Sequence, residues 1–129
     1  MKKLSFILFS VSLIFASCNS NDEESAEETS KRLDKMYTEI IAISLVNTES
    51  CTNPDEWGYE LISSSACGTN RGYILYSKKA DKVKLDTKIK EYQKLRSEYV
   101  IKWNVLSDCA PTNPPNSVKC VDGKASLVF

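Results

Sequence analysis

The chain has 129 residues, with seventeen basic and seventeen acidic side chains, no net charge and no histidine. A neutral balance gives no reason to expect a nucleic-acid partner, whose phosphates need a basic surface. The lack of histidine excludes Ser–His and Cys–His nucleophile pairs and histidine-ligated metal centres.

The first segment reads as a leader. Lys2 and Lys3 precede an uncharged, mostly apolar run from Leu4 to Phe15. That run has the length of a signal-peptide core and is too short to cross a bilayer comfortably as a helix. Ala16, Ser17 and Cys18 follow. Phe15-Ala16-Ser17-Cys18 resembles the lipobox of bacterial lipoproteins, with Phe15 where that family prefers Leu. The resemblance implies a diacylglyceryl group on the Cys18 thiol, cleavage just before it, and acylation of the new amine. Each buried methylene contributes about 0.8 kcal/mol, so two or three chains hold a protein to a membrane. Asn19 to Ser30 then carries Asp22, Glu23, Glu24, Glu27 and Glu28 without a basic residue, and its start reads as a solvated tether. It resembles the acidic export tag of surface-displayed Bacteroidota lipoproteins, which implies an outer-membrane anchor, on the periplasmic face or the cell surface. The expected organisation is a signal peptide at 1–17, a lipidated acidic tether at 18–30 and one domain at 31–129. Loss of the leader removes two lysines and leaves 112 residues of net charge −2.

Glu24 to Val46 carries a helical pattern, with Leu33, Met36, Tyr37, Ile40 and Ile41 at spacings of three and four and Asn47 as a stop. From Cys51 to Ser77 turn signals dominate. Alternation in Trp57, Tyr59 and Leu61, and in Tyr73 and Leu75, predicts short strands. Asp81 to Leu106 is the clearest helix: Asp81 is a suitable N-cap, and Leu85, Ile89, Tyr92, Leu95, Tyr99 and Trp103 line one stripe among lysines. Ser117–Val121 and Lys124–Phe129 flank Asp122-Gly123, the composition of a two-residue type I′ hairpin. That register puts Val118 and Cys120 on one face with Ala125 and Leu127.

Of the five cysteines, assigning Cys18 to lipid leaves Cys51, Cys67, Cys109 and Cys120, an even set suited to disulfides in an exported domain. No CxxC spacing is present, so neither metal nor cofactor is expected. Four cysteines allow three pairings. Cys51–Cys67 with Cys109–Cys120 is favoured because each encloses one loop-rich segment, contributing about 3 kcal/mol by chain entropy. The expected fold is thus α+β: two long amphipathic helices packed antiparallel, a C-terminal β-hairpin, and irregular loops stapled by two disulfides. The portion from Cys51 to Phe129 also resembles small exported four-cysteine proteins of Bacteroidota. The shared features are Cys51, Glu56-Trp57, Ala66-Cys67-Gly68, Gly72-Tyr73-Ile74 with Tyr76-Ser77, Ser107-Asp108-Cys109 and Pro-Pro-x-x-Val-x-Cys ending at Cys120. Thr69-Asn70 stands where those proteins place a second Gly and a Pro. This resemblance implies the compartment and carries no activity.

Three features are candidates for function. The first is the Pro-containing loop Thr112-Asn113-Pro114-Pro115, a pre-organised binding element if a disulfide closes it. The second is the stretch Arg71–Lys102, with ten basic and four acidic residues, which would suit an acidic partner. The third is the carboxylate set Asp55, Glu56 and Glu60, which would need a cleft and a separation of roughly 5–10 Å to act as a hydrolytic pair. The expected function is a membrane-anchored, non-enzymatic envelope lipoprotein, a binding or inhibitor-like protein whose ligand the sequence does not name, a protein partner being one candidate. The alternatives are a structural envelope component without a ligand site, and, further off, a small carboxylate-based hydrolase.

Overall fold

In the computed structural model, residues 24–63, 65–66, 72–105, 110–111 and 113–129 are described. Helix α1 spans Ala26–Ser44 and starts where the sequence supplies a capping box. The Ser25 hydroxyl accepts from the Glu28 N–H (3.2 Å), and the Glu28 carboxylate accepts from the Ser25 N–H (2.8 Å). Residues 26–30, where the acidic stretch overlaps the helical pattern expected from Glu24, belong to the helix. The stop comes at Leu45, in the left-handed region at φ 61°, ahead of the expected Asn47. Ser44 explains it: its fully buried hydroxyl donates to the Ile41 carbonyl (2.7 Å) and accepts from the Val46 N–H (3.3 Å), which fastens the chain as it leaves the helix.

A 3₁₀ turn at Pro54–Glu56, capped by Asn53, leads into strand β1, Trp57–Leu61. Strand β2 is the short Ser65–Ala66, and β3 is Tyr73–Ser77. β1 and β3 pair antiparallel in the register Trp57↔Ser77 to Leu61↔Tyr73, confirming the two strands that alternation predicts. Gly58 lies opposite Tyr76, whose ring covers it; a Cβ there would come within 2.6 Å of the phenol carbon.

Helix α2 spans Lys82–Trp103, with the Asp81 carboxylate accepting from the Lys84 N–H (3.0 Å) as its N-cap. It ends at Asn104, again left-handed, at φ 47°. Strand β4, Ala110–Pro111, pairs with β2. The hairpin of β5, Ser117–Val121, and β6, Lys124–Val128, has the expected register, with Val118 opposite Leu127 and Cys120 opposite Ala125. Asp122 and Gly123 both adopt positive φ (51° and 73°), as a type I′ turn requires.

The core joins Leu33 and Ile40 of α1 with Leu85, Ile89 and Tyr92 of α2, and is completed by Ile74 of β3 and Ile62 just beyond β1. Two expectations are corrected here. The body is not a pair of long antiparallel helices burying their stripes against each other alone. The β1–β3 edge supplies part of the core. Along α2 the last buried residue is Tyr92; Leu95 and Tyr99 pack against the core only in part, and Trp103, the last residue of the expected stripe, is exposed. Nor is the domain closed by the two local disulfides expected. Cys51 bonds Cys120, spanning 69 residues, which rules out both Cys51–Cys67 and Cys109–Cys120. The backbone accounts for the partner: the Cys51 N–H donates to the Gly123 carbonyl (2.8 Å), laying the segment before the 3₁₀ turn along the hairpin. Cys67, Cys109 and Cys18 lie outside the described residues. Among the described residues no helix is long and apolar enough to cross a membrane.

Candidate functional site

The loop before the hairpin is the most sharply positioned surface element. Asn113 and Pro114 are exposed, while Pro115 is buried. The Tyr59 phenol, from the middle of β1, donates to the Pro115 carbonyl (3.0 Å). One residue on, the Asn116 N–H donates to the Val128 carbonyl at the far end of β6 (2.7 Å). The Tyr59 ring is itself held edge-on against Tyr73 of β3, with centroids 5.9 Å apart. The second proline is thus a plug and the first a projecting tip. Thr112, the remaining member of the expected binding loop, lies outside the described residues. The loop owes its order to Tyr59 and to the fixed φ of two prolines, not to closure by a Cys109–Cys120 bond, which does not form.

The carboxylates do not converge. Asp55 and Glu56 sit exposed on the 3₁₀ turn, and the Asp55 N–H donates to the Asn53 side chain (3.0 Å). Glu60 points instead to the start of α2, where Lys82 bridges it (2.7 Å) and Asp86. Partial burial works against the Lys82 charge, but the hydrogen bonds it donates to Asp86 and Glu60 outweigh this and raise the ammonium above its ordinary pKa. The Lys82 ammonium thus occupies an oxygen of each of these two carboxylates. The same pairing tempers the basic stretch. Lys79 reaches Glu49 (2.8 Å), and Lys88 reaches both Glu39 of α1 (3.2 Å) and Glu91 (3.4 Å). Part of its charge therefore ties the helices and loops together. Trp57, buried, and Tyr76, lying over Gly58 with the Lys82 ammonium 5.1 Å from its ring, are packing residues and not a sugar platform.

Sequence reading passed over one concavity. The turn after α1 and the tip of the hairpin enclose an open cleft of about 460 Å³, walled by Glu49 and Ser50 on one side and Asp122 and Lys124 on the other. Its signal in the sequence is indirect, since it arises only when the Cys51–Cys120 bond draws two distant turns together. Among the described residues no group of His, Cys, Asp or Glu side chains is placed to hold a metal ion.

No protein-family model, curated protein or solved structure matches this chain.

Proposed function

We propose that the protein is a lipid-anchored envelope lipoprotein that binds a protein partner through the Asn113–Pro114 tip. The Tyr59–Pro115 hydrogen bond carries the binding half of this reading. It fixes the base of an exposed, proline-stiffened loop before any partner arrives, which lowers the entropy lost on binding. The Cys51–Cys120 disulfide supports the export half, because such bonds persist in oxidising compartments. The lipobox-like Phe15–Cys18 then supplies the anchor, at the outer membrane, with Cys18 as the acylated residue.

Two experiments test the two halves. Cys18→Ser should release the protein from the membrane fraction and abolish incorporation of a palmitate analogue; a variant that stays bound and labelled refutes the anchor. A photo-crosslinking residue at position 113 in intact envelopes should give one discrete adduct, absent when the probe is at exposed Val83. The same adducts from both positions, or none from 113, would refute the binding loop and leave a structural envelope role.

A further inference from the structure

The far end of α2 exposes side chains that a surface helix normally turns inward. Ile101 is 78% exposed, Val105 is 38% exposed and Trp103 is 37% exposed. Together they crown the last turn of the helix and the residue beyond its cap. Between them, the Lys102 ammonium lies 5.1 Å from the centre of the Trp103 ring. Val83, equally exposed at the opposite end of α2, stands in the first turn away from this group, as an isolated surface valine commonly does.

The place of this tip in the molecule identifies what covers it. Lys88 meets Glu39, and Tyr92 meets Tyr37 with ring centroids 6.2 Å apart, so advancing along α2 moves back along α1. Trp103 therefore stands at the end of the helix pair where α1 begins. Ser25, the N-cap of α1, is seven residues from Cys18. Seven residues span about 25 Å at full extension, which keeps this end of the molecule close to any surface that holds Cys18. The acidic first turn does not present a bare negative field, because Glu24 pairs with Arg32 (3.2 Å) and Glu27 with Lys31 (2.6 Å).

We infer that the α2 tip formed by Ile101, Trp103 and Val105 is a second membrane contact, seated in the interface of a zwitterionic lipid surface. The inference rests on the acylation of Cys18 proposed above. An indole with apolar side chains on either side matches the chemistry of the headgroup boundary, where the ring lies at headgroup level and its apolar neighbours meet the first methylenes of the acyl chains. Three side chains contribute too little to hold a free protein, but the anchor makes their contact intramolecular. The contact sets the orientation of the molecule, with the α1–α2 axis raised from the membrane.

Lipidated full-length protein in phosphatidylcholine vesicles containing brominated acyl chains tests this, because bromine quenches tryptophan only at close range. Trp57 is buried, so quenching of about half the emission is expected from Trp103, one of two tryptophans. It should vanish in Trp103→Phe and weaken in Ile101→Ser, an exposed position whose change leaves the fold intact. Protein that sediments with the vesicles yet shows unquenched emission overturns the inference and leaves the anchor standing. Protein that does not sediment overturns both. Emission that shifts with protein concentration in bromine-free vesicles, without bromine quenching, assigns the tip to a second copy of the chain and also overturns the lipid contact.

Discussion

The two ends of the domain are held by different forces. Where α1 and α2 meet β3, the structure relies on packing: Ile40, Ile74 and Leu85 are at most 1% exposed and lock helices and sheet into one apolar cluster. The β5–β6 hairpin has no buried side chain: β5 alternates between exposed and half-buried, and β6 is half-buried after an exposed Lys124. It is held by the Cys51–Cys120 bond, by the Cys51–Gly123 and Asn116–Val128 backbone hydrogen bonds, and through Tyr59 on Pro115. A domain of this size cannot bury every element, and the element left outside the core is the one given a covalent staple.

If that division holds, Leu85→Ala should act on the whole molecule. Deleting a fully buried leucine costs about 2–5 kcal/mol, and urea denaturation should show one earlier, still cooperative transition. A midpoint matching the parent would place the core elsewhere. Replacing Cys51 and Cys120 together by Ala should remove up to about 4 kcal/mol of chain-entropy stabilisation, but unevenly. Amide exchange should accelerate first at residues 117–128 while the amides around Ile74 and Ile89 remain slow. Uniform acceleration would mean that the hairpin belongs to the core after all. Gly58→Ala tests the boundary between the two regions, because the new methyl must displace the Tyr76 ring. We expect a loss of about 1–3 kcal/mol by overpacking, read as a lower thermal midpoint. Tyr59→Phe removes one hydrogen bond of about 1 kcal/mol. Its effect should be confined to the mobility of residues 113–116 and to weaker crosslinking from position 113. The smallest effect is at the start of α1. The backbone and hydroxyl hydrogen bonds from Ser25 hold the Glu28 carboxyl below its ordinary value of 4.5. The cap's contribution is therefore complete above that value and lost as pH falls through the lower folded one. Exchange of the Glu28 and Thr29 amides should rise in that acid range while the middle of α1 is unchanged; a flat profile would deny the cap its role.

The sequence was most informative where local chemistry decides the structure. Both helices, the Asp81 cap and the Asp122-Gly123 hairpin with its register are written in periodicity and turn composition, and the structure reproduces them. Long-range choices were not legible. Nothing local says that Cys51 should prefer a partner 69 residues away over one sixteen residues on. That choice is made by a backbone hydrogen bond to Gly123, which exists only after the chain has folded back. The same holds for the loop. Its prolines announced stiffness, but that Pro115 would be buried beneath a tyrosine from β1 depends on tertiary placement. The exposure of Trp103 is a third case, because helical spacing assigns it to the stripe while the packing against the core ends at Tyr99, about one turn earlier.

The Cys51–Cys120 bond also determines how the protein would respond to cleavage. It closes a ring through β1, β3 and α2 and leaves α1 and β6 as arms on either side. A protease that cuts the projecting tip at Asn113, or any peptide bond between the two cysteines, makes two chains and no loose piece. The severed hairpin stays attached to the segment that carries α1 until the disulfide is reduced. On a non-reducing gel the nicked protein should migrate as one species, and on a reducing gel as two.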